Sequence, residues 1–258
     1  MTDEPISPPP RRLLFLEPRG LLDIPTLFIA APFLLSAPRG RKHGVVVLPG
    51  FGADDRSTVL LRHYLSLLGY DAHGWNRGRN VRRPGEDLPT VIAQIKALKA
   101  KHKAAVTLIG WSRGGIMARE IARQVPDDVR MVITLGSPFA NPTANNVGAI
   151  WKLLTGEDVP RNPERIKQLA EPIPVPATAI FTKADGVVAW RACLEREGDK
   201  RENVEVRSTH IGLGFHPPAL WVIADRLAQE WDTWTPFKPS KLVAPFFPRK
   251  DGVYYASR

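Results

Sequence analysis

The chain alternates between short apolar runs and longer segments in which apolar residues recur every three or four positions. The short runs predict strands at 45–48, 70–75, 106–109, 129–135, 177–182 and 204–207. The longer segments predict helices at 59–68, 88–98, 116–125 and 218–229. Continuous apolar runs are typical of strands buried on both faces of a parallel sheet. Because strands alternate with helices, the pattern predicts an α/β fold with a mostly parallel central sheet flanked by helices.

The alternation breaks at 137–176, a proline-containing stretch with two short amphipathic pieces. We expect a short insertion, a lid or cap, over the carboxyl edge of the sheet, where open α/β sheets bind ligands. The chain is therefore expected to divide into an N-terminal arm (1–40), a domain that includes the insertion (41–235) and a C-terminal tail (236–258).

Within the arm, the first twenty residues are predicted to be mobile, and an apolar run follows at 21–37. Asp23, Pro25 and Pro32 interrupt this run, whereas a membrane-spanning helix needs about 20 predominantly apolar residues. We expect the run to pack on the domain or to lie near a substrate entrance. A cleaved signal peptide remains an alternative, because two arginines precede the run. The expected location is the cytoplasm.

The formal net charge of +10 is the most unusual bulk property of the chain. Basic residues are scattered and no nucleic-acid-binding motif accompanies them, so we expect no nucleic-acid partner. Weak association with an anionic membrane surface is compatible with this charge. Cys193 is the single cysteine, which excludes an internal disulfide framework, and no Cys/His spacing indicates a metal site.

A candidate nucleophile lies at the junction of a predicted strand and a predicted helix. Residues 110–114 read G-W-S-R-G, and a Gly-x-Ser-x-Gly pattern in this position is typical of a serine held at a sharp turn. The glycines leave room for that turn. The following helix directs its free N–H groups and positive dipole end at developing negative charge. The pattern predicts that Ser112 is a catalytic nucleophile.

A serine nucleophile needs a histidine base and a carboxylate that orients the base. Asp185 follows the strand predicted at 177–182, and His210 follows the strand predicted at 204–207. These positions predict Asp185 as the acid and His210 as the base. Asp199 is the alternative acid, and His216, next to two prolines, is the alternative base.

The oxyanion of a tetrahedral intermediate needs two preorganised donors. We expect the backbone N–H of Arg113, the residue after the nucleophile, to be one of them. The second is expected in the loop after the first buried strand, at Phe51 or, failing that, at Gly52. The side chains of Phe51 and Trp111 are candidates to line an apolar substrate pocket, with plain packing as the alternative.

Together these segments resemble the α/β-hydrolase superfamily, and within it the bacterial lipase- and esterase-like branch. The resemblance is carried by L-P-G-F-G at 48–52, G-W-S-R-G-G at 110–115, L-G-S-P at 135–138, K-A-D-G-V-V at 183–188 and S-T-H-I-G-L-G at 208–214. It covers most of the chain, although many lipases have His-Gly where this chain has Pro49-Gly50. The resemblance implies an α/β-hydrolase fold and cleavage of carboxylic esters through an acyl-enzyme, without a metal or organic cofactor.

The leading hypothesis is therefore a serine esterase acting on a small-molecule ester, of which a lipid-like ester is one version. Transfer of the acyl group to an alcohol other than water is an alternative that uses the same acyl-enzyme. A catalytically inactive binding protein on the same scaffold is an alternative of another class.

Overall fold

The structure is a computed structural model that describes residues 6–83, 85–156, 159, 161–231, 233–250 and 253–254. The strands are β1 (Gly44–Leu48), β2 (Asp71–Gly74), β3 (Val106–Trp111), β4 (Val129–Leu135), β5 (Ala177–Phe181), β6 (Arg201–Glu205), β7 (Arg249–Lys250) and β8 (Val253–Tyr254). The helices are α1 (Arg11–Phe15), α2 (Asp23–Leu34), α3 (Val59–Leu67), α4 (Leu88–His102), α5 (Arg113–Gln124), α6 (Gly148–Thr155), α7 (Pro163–Ala170) and α8 (Pro217–Ala228).

Strands β1 to β6 form one parallel sheet in the order β2-β1-β3-β4-β5-β6. The predicted α/β fold, with a parallel central sheet flanked by helices, is confirmed. The strand order reverses between β1 and β3, because β2 lies on one side of β1 and every later strand of this sheet lies on the other. In open α/β sheets the loops at such a switch point form a crevice for ligands. Here these are the loops that follow Leu48 and Trp111.

The apolar runs are continuous because the sheet is buried on both faces. Successive side chains of a strand point to opposite faces, and β1 contributes Val45 and Val47 to one apolar core and Val46 and Leu48 to the other. Helices α2, α3 and α8 pack in the first core, and α4 and α5 pack in the second. Both cores position the carboxyl edge of the sheet rigidly.

Strand β6 begins earlier than the sequence predicts, at Arg201 rather than at Val204. Its first residues are polar, so hydropathy alone misses them. Glu202 is nevertheless buried, since its carboxylate accepts hydrogen bonds from Arg226 Nη1 at 2.8 Å and from Thr178 Oγ1 at 2.8 Å. At this position of β6 a buried charge that is paired and hydrogen-bonded stands where the hydropathy pattern would require an apolar residue.

The N-terminal segment differs from the predicted mobile arm. Its residues 11–22 form α1 and a 3-10 helix at Glu17–Leu22, followed by α2 over most of the apolar run. Helix α2 packs on α8, where the Phe33 and Trp221 rings stack with centroids 4.5 Å apart. The prediction of mobility is wrong for 11–20, because the buried Glu17 carboxylate binds backbone N–H groups of the domain.

The stretch at 137–176 holds α6 and α7 between β4 and β5. In the tail, Phe237 and Phe247 are buried in the core that contains α8. Parts of the predicted arm (1–5), insertion (157, 158 and 160) and tail (251–252 and 255–258) lie outside the described residues. Among the helices described, none has the length and apolar character needed to cross a membrane.

Candidate active site

Ser112 lies in the sharp turn between β3 and α5. Its backbone has φ of 53° and ψ of −121°, a strained conformation for a residue other than glycine. The turn is held by Ser112 N–H, which donates to the Leu135 carbonyl at 2.8 Å, and by Gly115 N–H, which donates to the Ser112 carbonyl at 3.0 Å. A Cβ atom at Gly114 would overlap the carbonyl of Leu48. The sharp turn at Ser112 therefore needs a glycine two positions after the serine.

Asp185 and His210 form a direct pair at the same edge of the sheet. Asp185 Oδ2 lies 2.7 Å from His210 Nδ1. The other carboxylate oxygen accepts N–H groups of Val187 at 2.9 Å and Val188 at 2.8 Å, so the acid is fixed in place. Both side chains are buried. This arrangement holds the imidazole with its Nε2 atom directed away from the carboxylate.

The pair also sets the protonation of the histidine. Burial acts to lower the pKa of His210, but the Asp185 carboxylate raises it through charge and a hydrogen bond, and Glu17 adds to this effect. The net pKa of His210 lies above its ordinary value. A base of this kind holds a proton strongly once it has taken one.

The Asp185–His210 pair packs against Gly136 at the end of β4, next to Leu135, whose carbonyl accepts the Ser112 N–H. A Cβ atom at Gly136, where φ is 53°, would lie 3.0 Å from His210 Nδ1 and 3.2 Å from Asp185 Oδ2. On the other side, Trp111 Nε1 donates to the His210 carbonyl at 3.0 Å. No hydrogen bond joins the Ser112 hydroxyl to His210 among the described residues. The structure thus brings acid and base into contact and sets the serine on the adjoining loop.

The alternative residues lie elsewhere. Asp199 is exposed. His216 is the N-cap of α8, and its Nδ1 atom lies 3.2 Å from Asp23 Oδ2. The geometry of that contact is not that of a hydrogen bond, since both ring nitrogens of His216 are buried without a hydrogen-bond partner in the described structure. The structure pairs Asp185 with His210 and not with His216.

The two expected oxyanion donors face the turn that holds Ser112. Arg113 is the first residue of α5, and the N–H groups of a first helical turn have no acceptor within their helix. Gly50 lets the loop after β1 lie close to Ser112, since a Cβ atom built at Gly50 would lie 3.3 Å from Ser112 Cβ. The Phe51 N–H donates to no acceptor among the described residues, whereas the Gly52 N–H is bound to the Asn80 carbonyl at 3.0 Å. Of the two candidates in this loop, Phe51 has the available donor.

Asn80 is a residue that the sequence interpretation missed. Its buried side-chain NH2 group donates to the Pro49 carbonyl at 2.8 Å. Its backbone carbonyl accepts hydrogen bonds from the Gly52 N–H and from Arg113 Nη1, the latter at 3.1 Å. These contacts fix the loop where this chain has Pro-Gly instead of the His-Gly of many lipases. A single asparagine in a polar loop carries no sequence signal that would have identified it.

A cavity of about 160 Å³ opens beside Ser112. Helix α5 contributes Met117 to its lining, and the insertion contributes Trp151, Ile166 and Leu169. The cavity is therefore mostly apolar, and α6 and α7 form the side opposite the nucleophile turn. This is the kind of site that accepts an apolar group of a ligand next to one reactive polar atom.

Aromatic rings and one cation close the cavity next to the candidate oxyanion loop. The Phe51 ring stacks on Trp151 with centroids 4.5 Å apart, and the Arg113 guanidinium lies 4.9 Å from the Trp151 ring centroid. Burial lowers the pKa of Arg113 to about 10. Phe51, predicted to line a substrate pocket, is one of the residues in the cavity wall.

Trp111, predicted either to line a substrate pocket or to pack in the core, is not among the residues that line this cavity. Its side chain is buried and packs edge to face against Phe215, with ring centroids 6.2 Å apart. Its indole N–H supports the His210 loop. Trp111 is the last residue of a strand that is buried on both faces, so hydropathy could not tell which way its side chain points.

The sequence interpretation also missed Glu17. Its buried Oε1 atom accepts the Gly186 N–H at 2.7 Å and the His210 N–H at 3.2 Å, and its Oε2 atom accepts the Ile211 N–H at 2.9 Å. One carboxylate thus joins the loop of the acid to the loop of the base. No cluster of three or more His, Cys, Asp or Glu side chains in the described part of the chain could hold a metal ion.

Comparison with known proteins agrees with this architecture. Aspergillus fumigatus lipase B is similar at 16% identity and a TM-score of 0.57, over 76% of this chain and 56% of that one. The mature form of Bacillus licheniformis lipase BlEst2 is similar at 15% identity and 0.56, over 75% of this chain and 95% of that one. An α/β superfamily hydrolase from Oenococcus oeni PSU-1 is similar at 16% identity and a TM-score of 0.55, over 75% of this chain and 94% of that one.

At these identities the structural likeness concerns the fold, and the chain spans little more than half of the Aspergillus lipase. A sequence search of curated proteins finds no match. The family model of the α/β hydrolase fold matches residues 45–199, which is more than half of the chain. The predicted family is confirmed: the chain belongs to the α/β-hydrolase fold family.

Proposed function

We propose that this chain is a serine hydrolase that cleaves carboxylic esters through an acyl-enzyme on Ser112. The observation that carries the proposal is the buried Asp185–His210 pair, 2.7 Å apart, beside a strained serine at the start of α5. A histidine held by a carboxylate, together with a serine at a sharp turn, is the set of residues that activates a hydroxyl for attack on a carbonyl.

In the proposed reaction, the Ser112 hydroxyl attacks the ester carbonyl and His210 Nε2 accepts its proton. Asp185 holds the imidazole and stabilises its charged form. The oxyanion accepts hydrogen bonds from the backbone N–H groups of Phe51 and Arg113, near the positive end of the α5 dipole. Collapse of the intermediate expels the alcohol, which takes the proton from His210. Water then attacks the acyl-enzyme with His210 as base, and the acid leaves.

The cavity supports an ester with an apolar acyl group. At about 160 Å³ it is smaller than the roughly 300–1,000 Å³ usual for drug-sized ligands. Short and medium acyl chains therefore suit it as it stands, and longer chains require α6 or α7 to shift. An exposed ion pair between Arg165 of α7 and Glu120 of α5 opposes such a shift only weakly.

The test is turnover of p-nitrophenyl esters over a series of acyl lengths, with wild type beside Ser112→Ala. We expect the variant to lose several orders of magnitude in kcat/KM while keeping its fold. The matched control is Ser137→Ala, which alters a buried serine that bonds to backbone carbonyls and should retain turnover. A wild type that binds esters without cleaving them, or an active Ser112→Ala variant, would refute the proposal. A preference for acetyl esters would exclude lipid-like substrates.

A further inference from the structure

We propose that the outer face of the N-terminal segment docks on an anionic phospholipid bilayer, with α2 lying in the plane of the interface. This outer face is formed by the apolar side chains that segment 11–42 exposes, which are Phe15, Leu16, Leu21, Leu22, Phe28, Ile29 and Leu35. The proposal concerns a surface and does not depend on what reaction the protein catalyses.

Helix α2 is apolar on the side that faces solvent as well as on the side that faces the domain. Its inner side buries Leu27 and Leu34 against the core. Its outer side leaves Phe28 65% exposed and Ile29 82% exposed. A surface helix ordinarily has polar residues on its outer side, and a helix that is apolar all round is ordinarily buried. The outer side of α2 therefore exposes to water apolar side chains of the kind that are ordinarily buried.

The outer face continues beyond α2. Phe15 of α1 is 82% exposed, and Leu22, at the end of the 3-10 helix, is 68% exposed. Several large apolar side chains exposed on consecutive elements of one segment point to a site of interaction with a protein or a membrane. The charges that surround it decide between these two partners.

Every exposed charge on this segment is positive. Its basic residues are all exposed, and they are Arg11, Arg12, Arg19, Arg39, Arg41 and Lys42. Its two acids turn inward: Glu17 binds backbone N–H groups of the domain, and Asp23 accepts the Ser208 hydroxyl at 3.0 Å. A segment that exposes apolar side chains and only basic charges fits an anionic lipid surface, where the apolar side chains enter the acyl region and the guanidinium groups meet phosphates.

The length of α2 agrees with this orientation. Its 12 residues extend about 18 Å, and the hydrocarbon core of a bilayer is about 30 Å thick. Lying along the interface, the helix would bring the loops that Glu17 joins close to the membrane surface. The Asn146 side chain donates to the Pro9 carbonyl at 3.0 Å, so the insertion contacts the residues just before this segment.

The test is co-sedimentation of the full chain with vesicles of pure phosphatidylcholine and of phosphatidylcholine mixed with phosphatidylglycerol. We expect binding to the mixed vesicles and a marked loss of it at high salt. The double variant Phe28→Ser, Ile29→Ser should bind at least about 10-fold more weakly, because it removes apolar area at exposed positions. Its matched control is Val59→Ser, Leu67→Ser, which changes two exposed apolar residues of α3 and should bind like wild type.

Neutralising Arg11, Arg12 and Arg19 with glutamine should weaken binding to the mixed vesicles by about 5-fold for each arginine. Wild type that sediments with neither vesicle would overturn the proposal. So would a Phe28→Ser, Ile29→Ser variant that binds as wild type does. If the face joins two copies of the chain instead, sedimentation velocity will show a dimer that this variant dissociates, with no binding to vesicles. Ser112→Ala should bind as wild type does, so this readout is separate from the proposed ester hydrolysis.

Discussion

Replacing Glu17 with glutamine tests whether the N-terminal segment positions the two loops of the candidate site. In wild type, Oε1 accepts the N–H groups of Gly186 and His210, and Oε2 accepts the N–H of Ile211. A glutamine oxygen can keep the first two contacts, but its NH2 group then faces the Ile211 N–H. One hydrogen bond to a charged acceptor is lost, and such a bond contributes about 1.5–3 kcal/mol.

We therefore expect Glu17→Gln to lower the free energy of unfolding by about 1.5–3 kcal/mol. The unpaired N–H lies next to His210, so the base should also shift, and small displacements of a catalytic group cost up to about 100-fold in rate. The expected fall in kcat/KM is between about 10-fold and 100-fold. Urea titration measures the first quantity, and ester turnover, corrected for the folded fraction by phosphonate titration of Ser112, measures the second.

The pH profile separates positioning from loss of stability. Glu17 helps to raise the pKa of His210, so removing its charge should lower that pKa. Since the neutral imidazole is the active base, the acidic limb of kcat/KM should move to lower pH in Glu17→Gln. The control is Asp23→Asn, which removes a negative charge from the same N-terminal segment and leaves a neutral amide oxygen to accept the Ser208 hydroxyl; it should cost some stability without moving the limb. Wild-type kcat/KM together with an unmoved limb in Glu17→Gln would refute the positioning role.

Other predictions concern the pair, the cavity and the core. Wild-type kcat/KM should fall at acid pH with an inflection above pH 6.5, the ordinary pKa of histidine, and an inflection below pH 6.5 would contradict this. Asp185→Asn should lower kcat/KM about 10⁴-fold by favouring the wrong tautomer of His210, and a variant that keeps more than about a tenth of wild-type kcat/KM would contradict this role. Trp151→Ala should raise KM for long-chain esters about 10-fold and leave acetyl esters unchanged, and equal effects on both would argue against its place in the acyl site. Glu195→Ala leaves the buried Arg119 guanidinium without its carboxylate partner and should lower the free energy of unfolding by about 3–5 kcal/mol, measured by urea titration. A loss of under about 1 kcal/mol would show that the pair contributes little to stability.

What could be read from the sequence is what local pattern and topology determine. The turn at Ser112 is specified within a few residues by a strand, a helix start and flanking glycines. Asp185 and His210 could be proposed because each follows a strand, and the carboxyl ends of parallel strands share one edge. The N-terminal segment was misread, because nothing near Glu17 in the sequence shows that its partners are 169 to 194 positions away. The sequence left open whether Trp111 packs or lines a pocket, because apolar character does not give the direction of a side chain in a doubly buried strand.

The long span of the Glu17 contacts has a consequence for how the protein is made. The acid and base loops gain their shared carboxylate only when Ile211 has been synthesised, and Phe33 of α2 finds Trp221 later still. At roughly 5–20 residues per second, α2 leaves the ribosome some 10 to 40 s before its packing partner does. During that interval α2 can already pack on α3, because the Tyr64 hydroxyl donates to the Leu34 carbonyl at 3.2 Å, but the Phe33 ring lacks its stacking partner. The Asp185 and His210 loops would likewise reach their final positions only after Ile211 has emerged, so assembly of the site would report that the first and last thirds of this sequence have joined.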